Sequence, residues 1–303
     1  MTKTQGYITL AMGEPEYVAM AANLAASIKV MDPERRVCLI HDFPEGPDPV
    51  HAAFFDDIVF LPPDSRYPHI MNRFRLFDAS PYDQTMCVDA DCLLMKRDVD
   101  RYWDFAGQHY FCITGHPHTR GEWKGMRIDD MLRKYNIDYV VVMNAGVFYF
   151  DKSYDSQQFF EEFGRFYLNE FESLRLSSGQ GSKSPGGKTR RSHSFELYLG
   201  IFMGMKKLLD IIMPNFGENS WMVTTWRIAF CRFDIAAGRS EIYKLSDFLF
   251  GIPVLPTKVV RLSPTFPHFV GLKPKRTYAR LAAEFRRLAA ARAKQPENLA
   301  SAA

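Results

Sequence analysis

Two aspartates separated by one small residue follow an apolar run in the sequence, at Asp89 and Asp91. Residues 85–88 before them have the types expected of a buried strand. Burying two unneutralised carboxylates at a strand end is costly, and a divalent cation that prefers oxygen ligands removes that cost while keeping positions open for diphosphate oxygens. The pair therefore predicts a metal site, with Ala90 keeping the turn compact. An N-cap or turn pair of aspartates is the alternative.

Strand-like and helix-like patterns alternate ahead of this pair. In chain order they cover residues 7–11, 17–29, 36–41, 57–61, 70–77 and 85–88, the second and fifth being helical. This order predicts an α/β fold with a parallel, doubly wound sheet. Because ligands bind beyond the carboxyl ends of such strands, polar residues just after Ala11, just after Val88 and just after the strand near Val142 are expected to meet in one crevice.

The second half of the chain contains two helical patterns with a polar segment between them. Residues 156–176 predict a long amphipathic helix, and 195–209 predict another. We expect the aromatic stripe of the first helix to be core: Phe159, Phe160, Phe163, Phe166, Tyr167 and Phe171. Residues 177–193 are rich in glycine, serine and basic types, which predicts a mobile basic loop.

Composition narrows the class of protein. With 303 residues, 47% of them hydrophobic, the chain can bury a full α/β core. Its first apolar stretch is broken by Gly13, Glu14 and Pro15, and no later run reaches bilayer length, so we expect neither a signal peptide nor a spanning helix. The five cysteines are irregularly spaced, which predicts reduced thiols, a cytoplasmic location and no zinc site at Cys87 and Cys92.

Several ordered blocks resemble the retaining nucleotide-sugar glycosyltransferases of the family-8 type, which include glycogenin and the lipooligosaccharide galactosyltransferases. The blocks are Tyr7-Ile-Thr-Leu-Ala11, Asp89-Ala-Asp91, Met143-Asn-Ala-Gly-Val-Phe-Tyr-Phe150 and Pro267-His-Phe-Val-Gly-Leu-Lys-Pro274. The resemblance implies a single nucleotide-binding glycosyltransferase A-type fold with a mostly parallel central sheet and a C-terminal helical tail. It also implies transfer of a sugar from a UDP-sugar to an acceptor hydroxyl, with retention and with Mn²⁺ or Mg²⁺.

The sequence patterns and the resemblance together predict a domain division. Residues 1–275 would form the glycosyltransferase domain, with the donor-nucleotide and metal half in 1–150 and an acceptor-shaping part in 194–275. Residues 276–303 would form a basic amphipathic helix and tail.

Site residues are carried over block by block from the same resemblance. His268 would be the third metal ligand beside Asp89 and Asp91, because imidazole joins carboxylates on manganese. Tyr17 would stack on uracil, and Arg73 would contact a donor phosphate or the sugar. The remaining donor contacts would be Leu10, Ala11, Met12, Ala90, Asn144, Ala145, Gly146, Gly271 and Lys273.

Asn144 and Glu196 complete the predicted catalytic set. The resemblance implies that Asn144 faces the donor sugar. Glu196 is the candidate for a carboxylate beside that sugar, and a plain acid at a helix N-terminus is the alternative. No enzymic nucleophile stands out in the sequence, which leaves open whether the donor phosphate helps to deprotonate the acceptor.

The acceptor is not identified by these blocks. Residues 116–139 interrupt them and contain the candidate acceptor contacts His116, His118, Arg120, Trp123 and Lys124. Aromatic and basic side chains together suit a saccharide, a phosphorylated or lipid-linked carrier, or a nucleic acid. Two other classes stay open, a nucleotidyltransferase and a non-catalytic nucleotide-sugar-binding protein. The acidic turn 12–16 does not suit the triphosphate of the former.

The tail is strongly basic, with Glu284 as the one carboxylate in residues 273–294. Tyr278, Leu281, Phe285 and Leu288 recur at helical spacing. Three interpretations remain: the helix docks on the core, lies on an anionic membrane surface at the inner face, or, with the basic loop, follows a phosphate backbone. The net charge of +3 does not distinguish them, and the oligomeric state is not predicted.

Overall fold

A computed structural model describes residues 3–177, 182–183, 189–190, 194–214, 219–224, 231–242, 248–249, 252–253 and 263–293. Its strands are β1 Gln5–Ala11, β2 Arg36–His41, β3 Asp57–Phe60, β4 Gln84–Val88, β5 Phe111–His118, β6 Glu122–Trp123, β7 Met126–Arg127, β8 Val140–Asp151, β9 Ser182–Lys183, β10 Thr189–Arg190, β11 Asn219–Thr224, β12 Cys231–Asp234, β13 Arg239–Ile242, β14 Phe248–Leu249, β15 Ile252–Pro253 and β16 Ser263–His268. Its α-helices are α1 Glu16–Met31, α2 Pro49–Ala52, α3 Leu76–Ala79, α4 Asp100–Ala106, α5 Ile128–Tyr135, α6 Tyr154–Ser177, α7 Phe195–Lys206 and α8 Lys275–Ala293, and two 3₁₀ helices cover His69–Arg75 and Val270–Leu272.

Within these ranges a six-stranded central sheet has the order β3-β2-β1-β4-β8-β5. Strands β1 to β4 pair in parallel, while β8 is antiparallel to both of its neighbours, β4 and β5. The mixed α/β fold with a mostly parallel sheet and a C-terminal helix is therefore confirmed. The remaining described strands form separate two-stranded pairs.

Alternate residues of the central strands enter different hydrophobic clusters. Tyr7 and Met86 point into one cluster, which includes residues of α1, α4 and α8, whereas Ile8 and Cys87 point into another with α6 and α7. This period of two is what a strand covered by helices on both faces requires. The stripe of α6 is confirmed as core: Phe159, Phe160, Phe163 and Tyr167 are buried, and Phe166 and Phe171 pack against them.

Two element boundaries differ from the sequence prediction. The segment 70–77 is mainly the 3₁₀ helix His69–Arg75 rather than an α-helix, because Met71 and Phe74 bury their side chains at a spacing of three residues. The helix predicted over 195–209 ends at Lys206, where Lys207 adopts a left-handed conformation and closes the last turn.

The predicted mobile loop lies almost wholly outside the described residues. The structure describes its first residue as the end of α6, and a short antiparallel pairing of β9 with β10. The tail beyond Ala293 also lies outside the described ranges, and the proposed division into domains stays a prediction.

Helix α8 packs on α1, which is the first of the three interpretations of the tail. Leu281 and Phe285 are fully buried in the cluster that contains α1, and the Tyr278 hydroxyl accepts a hydrogen bond from Asn23 of α1 at 3.1 Å. The opposite face of α8 is exposed and basic, with Lys275, Arg276, Arg280, Arg286 and Arg287. Every helix in the described ranges is too short or too polar to cross a bilayer.

Arg292 links the last turn of α8 to the last turn of α1. Its Nη1 donates to the carbonyls of Lys29 and Val30, at 3.1 and 3.0 Å, which α1 itself leaves without an intrahelical partner. Arg292→Ala is expected to lower the free energy of unfolding by about 0.5–1 kcal/mol, the scale of a cation at a helix C-terminus. Urea denaturation measures this, with exposed Arg287→Ala as the control. Equal stability of the two variants would show that the contact contributes nothing.

Candidate functional site

The aspartate pair lies in a tight turn at the carboxyl end of β4. The Asp89 amide donates to the Gly146 carbonyl at 2.8 Å, and the Cys92 amide donates to the Asp89 carbonyl at 2.9 Å. These bonds hold the turn against β8 and close it within three residues. Both carboxylates are partly exposed, with 24% and 17% of the side-chain surface of Asp89 and Asp91 accessible. They therefore face the crevice rather than the core.

The chain after this turn runs beside β16, which brings His268 to the aspartates. The amides of Leu93 and Met95 donate to the carbonyls of Pro267 and Thr265, at 3.3 and 3.0 Å. The Phe269 amide donates to the Asp91 carbonyl at 2.9 Å. A local backbone ladder therefore joins residues that are far apart in the sequence.

The three predicted metal ligands converge. His268 Nε2 lies 2.9 Å from Asp91 Oδ1 and 3.8 Å from Asp89 Oδ2. The His268 ring is buried, and its Nδ1 has no hydrogen-bond partner among the described residues. Two carboxylates and an imidazole form a donor set that suits a divalent cation such as Mn²⁺. The residues present therefore fit the implied metal, with its ligands already gathered at one point.

Cys92 also lies close to this centre. Its sulfur, one Asp91 oxygen and one His268 nitrogen are all within 4.8 Å of one another. Burial raises the pKa of the Cys92 thiol well above its usual value, so the thiol stays protonated at neutral pH. Cys92 is completely buried, whereas both carboxylates are partly exposed, and oxygen and nitrogen ligands suit Mn²⁺ better than a thiol does, so we treat Cys92 as a buried neighbour of the predicted ligands. The sequence interpretation of Cys92 as a core residue agrees with its complete burial.

Arg73 is buried beside the centre and forms an ion pair with Asp89. Its guanidinium also lies over the Phe195 ring, 5.4 Å from the ring centroid. Burial lowers the pKa of Arg73, but an arginine remains protonated at neutral pH. In this structure Arg73 neutralises the carboxylate of Asp89, one of the predicted metal ligands. The contact of Arg73 with a donor phosphate or the sugar stays a prediction.

The Asn144–Gly146 block reaches the site by a different route from the one expected. These residues were predicted to follow the carboxyl end of a parallel strand, and this is wrong because β8 is antiparallel to β4. Residues 147–151 of β8 pair with β4, with Val147 opposite Val88, so residues 140–146 extend past the carboxyl end of β4. Asn144 Oδ1 accepts from the Gly146 amide at 2.9 Å.

Gly146 allows close contact with His268, the third predicted metal ligand. A Cβ atom at this position would lie 2.8 Å from His268 Nδ1 and 2.9 Å from Asn144 Oδ1. Real Cβ atoms essentially never approach other atoms that closely. Glycine is therefore needed here for space, and it brings the backbone of β8 against the site.

Glu196 lies in the first turn of α7 and points to β8. Its Oε1 accepts from the Ala145 amide at 3.1 Å, and its Oε2 forms an ion pair with Lys124. Ser194 acts as the N-cap of α7, accepting from the Leu197 amide at 3.4 Å. Glu196 therefore lies beside the Asn144 block as well as at the N-terminus of α7.

The residues predicted to bind the base lie at the end of β1. Ala11 shares a small apolar cluster with Ala90, so the end of β1 packs against the turn that contains Asp89 and Asp91. Met12 is buried and Leu10 is half-buried, whereas the ring of Tyr17, at the start of α1, is 43% exposed. These positions leave the Tyr17 face available to a planar ligand.

Asp42 holds the segment that follows β1. This residue was not identified from the sequence. Its Oδ1 accepts from the amide of Gly13 at 2.9 Å, and Gly13 has a φ of +83° that favours glycine. The position of Asp42 directly after β2 could have identified it, because polar residues at the carboxyl end of a parallel strand lie where ligands bind.

Gly271 and Lys273 follow His268 on an exposed turn. Gly271 has a φ of +61° and open space around it, so the turn requires glycine for its conformation. Lys273 is exposed and has no ion-pair partner in the described part of the chain. Its ammonium is therefore available to an anionic ligand.

Comparisons with solved structures place this architecture among glycosyltransferases. A galactosyltransferase LgtC in complex with donor and acceptor sugar analogues aligns with a TM-score of 0.53 and 12% identity, over 92% of this chain and 95% of that one. An active-site mutant of LgtC aligns with a TM-score of 0.53 and 14% identity, again over 92% of this chain and 95% of that one. The glycosyltransferase GlyE of Streptococcus pneumoniae TIGR4 aligns with a TM-score of 0.52 and 12% identity, over 96% of this chain and 64% of that one.

At this level of identity the comparisons bear on architecture. No protein-family profile and no curated protein sequence matches the chain. The sheet order, the C-terminal helix and nearly complete coverage of LgtC agree with one another. The chain therefore has the glycosyltransferase A-type fold that these enzymes share.

Proposed function

We propose that this protein is a metal-dependent glycosyltransferase that moves a sugar from a UDP-sugar to an acceptor hydroxyl with retention of configuration. The observation that carries the proposal is the convergence of Asp89, Asp91 and His268 against the glycine-containing backbone of β8. A site of this kind offers ligands for a cation, close backbone approach for a sugar and an exposed lysine nearby. A fold-only interpretation would not require these groups to be gathered.

Asp89, Asp91 and His268 would hold the divalent cation, which is Mn²⁺ or Mg²⁺ in this proposal. When bound, the cation would neutralise charge on the diphosphate of the donor and of the departing UDP. Backbone hydrogen bonds join the turn after β4 to β8 and to β16, which supports a fixed position for these three residues. Lys273 would add a second positive charge on the exposed side of the diphosphate.

In the proposed reaction the bond from the sugar C1 to the phosphate oxygen breaks, and a bond from C1 to the acceptor oxygen forms on the same face. Glu196 accepts a hydrogen bond from the Ala145 amide and forms an ion pair with Lys124. We therefore assign Glu196 to binding of the donor sugar rather than to nucleophilic attack on it. Asn144 would present its amide to the sugar from β8. We propose that the acceptor proton leaves with the donor's own phosphate oxygen, and the products are the glycoside and UDP.

The direct test is a donor screen that needs no acceptor. Purified protein is incubated with Mn²⁺ and a panel of nucleotide sugars, and slow release of free sugar is scored by chromatography. Hydrolysis confined to one or two UDP-sugars and abolished by a chelator is the expected result. Hydrolysis that prefers guanosine or cytidine donors would reject the UDP assignment.

Two other functions predict different results in binding and turnover assays. A nucleotidyltransferase would release pyrophosphate from a nucleoside triphosphate, but the turn after β1 contains Glu14 and Glu16 rather than basic side chains. A non-catalytic binding protein would bind Mn²⁺ and UDP-sugar without turnover. Calorimetry with Mn²⁺ and UDP, followed by the donor screen, separates these outcomes.

Tyr17→Ala is expected to weaken binding of UDP by about 1–2 kcal/mol, because base–aromatic stacking is worth about 1–3 kcal/mol and this ring is partly solvated. Calorimetry in the presence of Mn²⁺ measures the change, with guanosine diphosphate as the comparison ligand. Tyr154→Ala is the matched control, because Tyr154 is a 72% exposed tyrosine at the start of another helix. An unchanged affinity for UDP in the Tyr17 variant would remove this residue from the base site.

We further propose a cytoplasmic location with peripheral contact to the inner membrane face through α8, and a saccharide or lipid-linked acceptor. The apolar face of α8 is buried, so the contact would be electrostatic and would use its exposed basic face. Substituting those exposed arginines by glutamine preserves the docked helix, which removal of α8 would not. Binding of this variant and of the parent chain to anionic vesicles and to duplex DNA, at two salt concentrations, separates membrane contact from a nucleic-acid acceptor.

A further inference from the structure

Lys124 occupies an unusual place in the hairpin of β6 and β7. Trp123 pairs with Met126, so Lys124 and Gly125 form a two-residue turn, and both have positive φ, 53° and 77°. Such turns favour asparagine or glycine at the first position, because the Cβ atom of a longer side chain is strained at positive φ. A lysine at this position therefore indicates a compensating contact or a function.

The hairpin is held firmly on α7. A Cβ atom at Gly200 would lie 2.7 Å from the Trp123 ring and 2.3 Å from the Val141 carbonyl, so the helix, the hairpin and β8 are in closest contact there. Glu196 is one helical turn before Gly200 and lies on the same side of α7. Docking of Trp123 therefore places the next residue, Lys124, over the Glu196 carboxylate.

Contacts then run from Lys124 to the proposed sugar subsite. Lys124 Nζ pairs with Glu196 Oε2, and Glu196 Oε1 accepts from the Ala145 amide at 3.1 Å. Ala145 lies between Asn144 and Gly146, and the latter is against His268. Both oxygens of Glu196 are therefore engaged, one by the hairpin and one by the backbone of β8.

We propose that Lys124 is a positioning residue of the donor-sugar subsite, acting through Glu196. The proposal rests on the function proposed above, in which the donor sugar lies against residues 144–146. Without the ammonium, the Glu196 side chain regains rotamer freedom and no longer fixes the Ala145 amide. The β6–β7 hairpin would then set how tightly the sugar is held, although the nucleotide binds elsewhere on the sheet edge.

The test compares UDP with UDP-glucose and UDP-galactose by calorimetry in the presence of Mn²⁺. Lys124→Met is expected to leave the Kd for UDP unchanged within about twofold and to weaken the preferred UDP-sugar about tenfold, the scale of one charge-assisted hydrogen bond. Lys124→Arg should retain most of the affinity for the sugar nucleotide. Lys134→Met is the matched control, because Lys134 pairs with Glu170 at 2.9 Å on another surface and should change neither ligand.

Two further variants test the proposal even if substitution of Lys124 changes the conformation of the hairpin. Glu196→Gln should lose the same factor for UDP-sugar, and the double variant should lose no more than either single variant, because both act on one contact. Equal weakening of UDP and UDP-sugar, additive losses, or unchanged binding of both would overturn the proposal. If the parent protein binds UDP but Lys124 variants behave as the control does, this inference alone fails. If the parent protein binds no uridine nucleotide at all, the proposed function fails as well.

Discussion

Replacement of Asp91 by asparagine is expected to weaken Mn²⁺-dependent binding of UDP by about 1,000-fold. Loss of a group outside the ligand shell already costs about 10–100-fold in metal affinity, and Asp91 is proposed to contact the cation itself. The change removes one negative charge and preserves the shape of the side chain. Because Asp91 lies 2.9 Å from His268 and is partly exposed, the neutral amide can keep a hydrogen bond there. The fold should therefore melt cooperatively.

The measurement is calorimetric titration of UDP with Mn²⁺, with and without chelator. Asp98→Asn is the control, because Asp98 is an exposed aspartate seven residues further on that pairs with Lys96 at 3.3 Å and Arg101 at 3.6 Å. Its substitution should leave Mn²⁺-dependent binding unchanged. An Asp91 variant that binds UDP as tightly as the parent protein would refute the assignment of this residue to the metal.

The second large effect is expected from Gly146→Ala, which adds a single methyl group. That carbon would lie within 3.0 Å of both the His268 ring and the Asn144 amide, so one or both must move. Overpacking of this kind costs typically about 1–3 kcal/mol in stability. A displacement of about 1 Å in a catalytic constellation can cost about 100-fold in rate. We therefore expect donor hydrolysis to fall by about 100-fold, with weaker binding of Mn²⁺ and UDP.

A second glycine provides the matched control for this substitution. Gly164 is in α6, and a Cβ there would meet only the Tyr67 hydroxyl, at 3.9 Å. Gly164→Ala should therefore leave hydrolysis intact and raise stability by about 0.5–1 kcal/mol, since alanine favours a helix. Both variants are compared by thermal unfolding and by the hydrolysis rate. Full activity in Gly146→Ala would show that close contact of β8 with His268 is not required.

Much of this architecture could be predicted from local patterns. Strand β4 is recognisable as a short run of buried residues and α1 as a longer, mainly apolar one, because both elements are covered on most sides. Asp89 and Asp91 stand out because two carboxylates end an otherwise buried strand. His268 was identified through the resemblance of its block to a family motif, and the structure brings it to the aspartates.

The remaining features depend on long-range pairing that no local pattern contains. The antiparallel direction of β8 is decided by its pairing with β4 and β5, and strand direction leaves little mark on the residues themselves. The ion pair of Lys124 with Glu196 joins residues from a hairpin and a distant helix. Arg73 was expected to meet the donor, but its contact with Asp89 follows from burial of an arginine that needs an anionic partner.

The proposed function requires Asp89, Asp91 and His268 to form one metal centre that carries the donor diphosphate. Electron paramagnetic resonance tests it directly, because Mn²⁺ bound to protein leaves the signal of the free ion. In the presence of UDP, the parent protein is expected to remove one equivalent of Mn²⁺ per chain from that signal, whereas Asp91→Asn and His268→Ala should remove almost none. Equal loss of the free signal in the parent protein and both variants would place the cation elsewhere and contradict the account.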